Sequence, residues 1–382
     1  MVLFWGGLLA LAYTFVGYAV VIGVMGKCLP RRARKAFLPD AELPEVTVLL
    51  IACNEAERIG ARLENLLSAD YPAGKLSVLV VSDGSEDGMN ELIANYPDER
   101  VRLLALPERK GKANGLNSGM AAITTPVVVY ADARQRFEPR AIRELVAHFN
   151  DPQVGAVSGA LEIVPSDPGV ASGVGVYWKL EKFIRCNEGL TGSCMGCTGA
   201  IYAIRSELFQ PMPEDTLIDD VYTPMRVIEQ GYRVTFEPAA VAIDPQPLDP
   251  DKERIRKPRT LAGNYQLMMR YPQWCMPGVG RTPLRLISHK YLRLFGPWML
   301  CAMLVGNILL LPLHPLYWAL MLGHIAFYVV AILGLQAGTK GGKRQSIPAS
   351  FLFLNYTAAL GAWLYFSGKY KGAWQMASKV QK

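Results

Sequence analysis

The sequence predicts an α/β fold: a mostly parallel sheet with helices on both faces, flanked by apolar helices long enough to cross a membrane. Three observations carry this. From residue 45 to 270, short apolar runs alternate with helix-like segments, the order of a sheet built from strand-helix-strand units. Runs such as VLVV and VVVY are apolar at every position, as strands buried on both faces are. Hydrophobic residues make up 51% of the 382-residue chain, a high share for a soluble protein.

The first membrane segment opens the chain. Residues 1–26 contain no Asp, Glu, Lys or Arg, and at about 1.5 Å per residue they exceed the ~30 Å hydrocarbon layer. Bases follow this run, at Lys27, Arg31, Arg32, Arg34 and Lys35, rather than preceding it as in a secretory signal. That order predicts an N-terminus outside, a basic juxtamembrane linker over 27–44 and a body in the cytoplasm, on a multi-pass protein of the cell membrane. Toward the C-terminus no charge occurs from Leu294 to Thr339, and His314-Pro315 divides the stretch into expected spanning helices at 294–313 and 316–338. Ahead of them, 271–293 is expected to lie on the inner membrane surface. There Arg281, Arg285, His289 and Arg293 recur at helical spacing, opposite Leu284, Ile287 and Tyr291. The apolar stretch 347–366 has bases on both flanks and reads as a spanning or a re-entrant helix, leaving a basic tail at 367–382. The net charge of +7 gathers near these membrane ends, which points to anionic membrane lipids as partners and away from nucleic acid.

Seven cysteines, an odd number, form no disulfide framework and are expected reduced. CMGC at 194–197 is half of a zinc site with no second pair, so no structural zinc is expected.

The expected strands of the body are VTVLLIA, LSVLVVSD, VRLLAL and PVVVYAD. In open parallel sheets ligands bind past the carboxyl ends of the strands, which singles out Asn54, Glu55, Asp83 and Asp132. The turn after the first strand, ACNEAERIG, lacks the GxGxxG that admits a dinucleotide, which speaks against a nicotinamide enzyme. Asp83, in SDGSEDG, either accepts bonds from a nucleoside or caps a helix. Lys110 and Lys112 precede a helix N-terminus, where the dipole disfavours them; they either meet an anionic ligand or are solvated.

In order along the chain, IACNEAERI, VVSDGSEDG, RKGKANGLN, YADAR, TGAIYAIR and LIDDVYTPMRVIEQGYRV resemble the membrane-bound inverting glycosyltransferases of family 2. That group includes cellulose, chitin and hyaluronan synthases and many bacterial polysaccharide and glycolipid glycosyltransferases. The resemblance implies a GT-A fold over 45–270 that binds a nucleotide sugar, usually a UDP-sugar. Asn54, Glu55 and Asp83 would then lie near the nucleoside and Lys112 near the donor. Asp132 matches the first aspartate of the DxD motif, which helps hold a divalent cation, Mg2+ or Mn2+, on the diphosphate. Asp219 and Asp220 match the last two positions of the TED motif, the final aspartate being the general base. Such a transfer needs a carboxylate to take the acceptor's proton and positive charge for the departing diphosphate.

Two positions depart from the pattern. Arg134 stands where the second DxD aspartate is expected, and is read either as a cation for the diphosphate or as a surface residue. In RKPRT, Arg256 and Arg259 match the (Q/R)xxRW motif of chain-making relatives, for acceptor or diphosphate, but its tryptophan is Thr260. Trp178 or Trp274 would have to supply the missing stacking face. The expected function is transfer of a sugar, with inversion, to a lipid-linked or growing polysaccharide acceptor. A processive polysaccharide synthase, acting with a second copy or an export partner, is the alternative, and an inactive membrane scaffold for polysaccharide assembly is another.

Overall fold

The computed structural model describes residues 1–31, 33–163, 171–245, 250–278, 282–337 and 343–372. Two compact units emerge: Cys28–Val164 with Arg185–Pro247, and Met1–Lys27 with Pro165–Ile184 and Leu248–Lys382. The α/β unit therefore takes in the linker 28–44, while 248–270 belongs to the helical unit.

The α/β unit holds one sheet of eight strands: β1 (Val46–Ala52), β2 (Leu76–Asp83), β3 (Val101–Leu106), β4 (Val127–Ala131), β5 (Arg136–Phe137), β6 (Val154–Ile163), β7 (Ile201–Arg205) and β8 (Arg233–Asp244). Their order is β3-β2-β1-β4-β7-β6-β8-β5. The first four are mutually parallel, β7 runs antiparallel between β4 and β6, β6 and β8 are parallel, and the short β5 is antiparallel on β8. The four expected runs are β1 to β4. Central β1 and β4 are buried along nearly their whole length, whereas edge strand β3 is only half-buried and carries the exposed Arg102. Helix Ala56–Leu67 packs Ile59, Leu63 and Leu66 into the core with Val48, Leu50, Val78 and Val129. Helix Lys112–Ala121 lies close against β1 through two glycines. A side chain at Gly119 would meet Leu49 at 2.5 Å, and one at Gly115 would meet Ile51 at 2.7 Å.

The linker is tied to this unit by side-chain pairs. Lys35 pairs with Glu144 and Glu237, each at 2.6 Å, and His148 meets Glu237 at 2.7 Å. Arg31 donates to Gln153. Burial disfavours the Glu237 charge, but bonds from His148, Lys35 and the Ala239 N–H outweigh it and bring its pKa down to about 2.

In the helical unit three helices are long and apolar enough to cross a membrane: Val2–Cys28, Pro315–Gln336 and Ile347–Phe366. The expected helix at 294–313 is shorter. It forms Gly296–Leu310, 15 residues or about 22 Å, bent by 64° from Thr282–Leu294. The N-terminal helix approaches it closely at Gly306, where a Cβ would meet the Phe4 backbone nitrogen at 2.6 Å.

The basic face expected on the membrane surface turns inward instead. Arg285 and His289 are buried, while Leu284, expected on the apolar side, is 72% exposed. His289 (3.1 Å), Lys290 (3.4 Å) and Arg293 (3.0 Å) converge on the buried carboxylate of Glu181, and Tyr18 stacks on His289. Glu181 gives these buried bases a carboxylate partner, and the spacing of the bases cannot reveal that acid, which lies about a hundred residues earlier. Arg281 lies outside the described residues.

Candidate active site

The acidic residues gather at the carboxyl ends of the parallel strands, and backbone bonds fix each loop. After β1, Asn54 adopts φ +57°, a turn conformation that asparagine tolerates. Its Oδ1 accepts the Glu86 N–H at 2.9 Å and its own N–H reaches the Ser85 hydroxyl, so the loops after β1 and β2 are tied together. Glu55 precedes helix Ala56–Leu67 and pairs with Arg58 at 2.9 Å, while the Ala56 N–H is accepted by Asp87 at 2.8 Å. Asp83, 1% exposed, accepts the Lys110 and Gly111 N–H groups, one on each oxygen, both at 2.8 Å. It thereby anchors the RKGK loop rather than capping a helix. Gly84 (φ +64°) lies directly beneath that loop, where a Cβ would meet the Arg109 nitrogen at 2.5 Å.

The anchored loop delivers Lys112 as the first residue of its helix, after Gly111 at φ +97°. The ammonium sits 3.1 Å from Asp132 Oδ1 and 3.4 Å from Asp219 Oδ2. Burial alone would push its pKa down, but the charges of Asp132, Asp219 and Asp220 outweigh that and hold it above the ordinary lysine value. Asp132 is the open member of the set, with a side chain 37% exposed.

Asp219 and Asp220 start helix Asp219–Glu229, where acids suit the dipole. Pro224, four residues after Asp220, has no N–H to give the Asp220 carbonyl. That carbonyl instead accepts the Cys197 N–H at 2.7 Å, which ties segment 193–199 to the helix start. Gly199 faces the Asp220 carboxylate, a Cβ there lying 3.4 Å from Oδ2. The segment is further held by Thr198, whose Oγ1 donates to Gly159 O and accepts from Arg185. Nearby, Tyr130 on β4 and Tyr202 on β7 are register partners with rings stacked at 4.3 Å. Both are buried, and neither hydroxyl has a hydrogen-bond partner in the structure. Burial, then the charge of Asp219, raises both pKa values well above that of free tyrosine.

Arg134 is half-buried and engaged by an acid of the same unit. Its guanidinium pairs with Asp244 at the end of β8, which also accepts from Gln135 at 3.0 Å. A different arginine lies under the site. Arg62 is buried against the Phe137 ring at 4.3 Å and donates to the Asp132 carbonyl at 3.0 Å, so helix Ala56–Leu67 grips the YADARQRF stretch. Burial lowers its pKa and Asp132 opposes the fall. Arg62 lies on the apolar stripe of its helix, next to Leu63 and three residues after Ile59; that placement is the signal that could have found it. Pro224 was equally visible, as a proline four residues after the acid.

Arg256 and Arg259 lie on helix Pro250–Arg270 of the helical unit, where the Thr260 hydroxyl bonds back to the Arg256 carbonyl. Trp274 is 1% exposed and stacked on Tyr271, so it offers a sugar no open face; Trp178 has Lys257 over its ring. Among the described residues no group of three or more His, Cys, Asp or Glu could hold a metal ion. At the strand ends the two carboxylates Asp132 and Asp219 share an ammonium, so the residues as folded do not form a divalent-cation site by themselves.

Comparison with known proteins adds to this geometry. Residues 47–211 match the family described as glycosyl transferase family 2. Poly-beta-1,6-N-acetyl-D-glucosamine synthase of Staphylococcus aureus is 25% identical over 245 residues, 61% of this chain and 55% of that protein. The probable glycosyltransferase YdaM of Bacillus subtilis is 26% identical over 228 residues, 54% of this chain and 52% of that protein. The chain thus spans about half the length of the curated relatives it matches. Among solved structures, the mannosyltransferase PcManGT from Pyrobaculum calidifontis, in complex with GDP-Man and Mn2+, superposes with a TM-score of 0.70 at 23% identity, over 92% of this chain and 97% of that one. The mixed, mostly parallel sheet is thus of the GT-A kind, and the segment 47–211 within it matches glycosyl transferase family 2, in a chain that also carries candidate membrane helices.

Proposed function

We propose that the chain is a membrane-bound inverting glycosyltransferase, moving a sugar from a nucleotide-sugar donor to the hydroxyl of a lipid-linked or saccharide acceptor on the cytoplasmic side. The observation that carries this is the convergence of Asp132, Asp219 and Asp220 on Lys112 at the carboxyl ends of parallel strands. Asp220 takes the acceptor proton as the acceptor oxygen attacks the anomeric carbon, and the bond to the diphosphate breaks on the opposite face. Gly199 leaves the space beside Asp220 in which the acceptor can approach. Lys112 offers positive charge to the departing diphosphate, and Asp83 acts through the loop that positions Lys112. Donor and metal in the mannosyltransferase of similar fold support a nucleotide-sugar donor, with any Mg2+ or Mn2+ held largely by the diphosphate.

A processive synthase is the second reading, favoured by the resemblance to the staphylococcal polysaccharide synthase. Purified protein supplied with nucleotide sugars and saccharide or lipid acceptors should release nucleoside diphosphate and yield a product of inverted anomeric configuration by NMR. A retained configuration, or no release with any donor, overturns the proposal; long chains from one acceptor select the synthase.

A further inference from the structure

We propose that Lys112 is the resident cation of this site, and that a divalent cation binds the protein only by displacing it. The inference deepens the proposed function by naming what fills the gap between Asp132 and Asp219. An oxygen-liganded divalent cation bridging these carboxylates would sit about 2.0–2.6 Å from each. The Lys112 ammonium already lies 3.1 and 3.4 Å from them, so the two cations compete for one place. The backbone cannot carry the lysine away. Asp83 holds the Gly111 N–H, and Gly115 and Gly119 press the helix onto Ile51 and Leu49. Only the flexible side chain can swing out. Arg134, the other cation nearby in sequence, is committed to Asp244. Beside β4 and β7, Tyr130 and Tyr202 present two buried hydroxyls without a partner in the structure.

The test is Mn2+ titration of the purified full chain without nucleotide sugar, reading free hexaaqua Mn2+ by electron paramagnetic resonance. Lys112→Met should raise Mn2+ affinity at least about tenfold, because it removes a like charge from the cation's place. Lys112→Arg should not, and Asp132→Asn in the Lys112→Met background should erase the gain. Lys112→Gln, which can still bond both carboxylates, serves if the methionine variant does not fold by circular dichroism. Equal affinity for wild type and both neutral variants, or a gain that survives Asp132→Asn, overturns the proposal. No donor or acceptor enters this measurement, so a failure of sugar transfer would remove the proposed function and leave the cation result standing.

Discussion

Two ion clusters in this molecule are near mirror images in composition. At the strand ends the Lys112 ammonium pairs with Asp132 and Asp219 and feels the charge of Asp220; in the helical unit the Glu181 carboxylate meets His289, Lys290 and Arg293. They differ in exposure. Asp132 is more than a third open, whereas every member of the Glu181 cluster has a side chain no more than 15% exposed. An excess of acid at an open edge leaves carboxylate oxygens for a substrate proton or a cation. The closed cluster spends its charges on packing. Charge content alone therefore does not mark a site; the sign of the excess and its access to solvent do.

The predictions test this contrast in order of expected size. Asp220→Asn should cut transfer by about 10²–10⁴-fold at an unchanged melting temperature, as expected for loss of a general base, measured by nucleoside diphosphate release. Glu181→Ala should do the reverse, costing about 3–5 kcal/mol in detergent melts because it strands buried cations. If that variant melts like wild type, the cluster is not structural.

The Lys35 cluster offers a third case, with two buried acids, Glu144 and Glu237, under a more open lysine. Glu237 is depressed from 4.5 to about 2, so its contribution is full above about pH 4.5 and lost as pH falls toward 2, worth at most about 3 kcal/mol. Lys35 is raised above 10.5: burial lowers its pKa, but Glu144 and Glu237 outweigh burial, so its share is lost only as pH rises past that value. Melting across a pH series should show the acid limb, and Glu237→Gln should flatten it.

Asp83→Asn leaves one acceptor oxygen for two N–H groups, at a cost of about 1–3 kcal/mol, and should raise donor KM by misplacing Lys112. An unchanged KM would free Lys112 from its dependence on the loop. Smallest of all, Pro224→Ala should leave stability within about 1 kcal/mol, because the restored helix bond offsets the lost Cys197 tether, while lowering kcat. Unchanged kcat would mean the tether has no bearing on the site.

Much of this was legible in the sequence, for local reasons. Strands β1 to β4 announce themselves as continuous apolar runs, and the acids at their ends follow from where such strands stop. Asp132 and Lys112 were named from their places along the chain and Asp219 and Asp220 from the family resemblance; Lys112 pairs with Asp132 and Asp219. What stayed hidden depends on partners distant in sequence. Asp83 read as a ligand contact or a cap because the N–H groups that donate to it, those of residues 110 and 111, lie 27 and 28 positions away. Arg134 looked available because Asp244 is 110 residues away, on β8. The bases at 285–293 do share a face, as their spacing required, but periodicity fixes only which residues point together and is silent on what they point toward.

Pro224 carries one more consequence. By giving up a single helical hydrogen bond, the helix that begins at Asp219 acquires a stiff link to the segment around Gly199. The wall beside Asp220 and the aspartate itself are thereby mechanically joined. A displacement of that segment must either carry the start of the helix with it or break this bond.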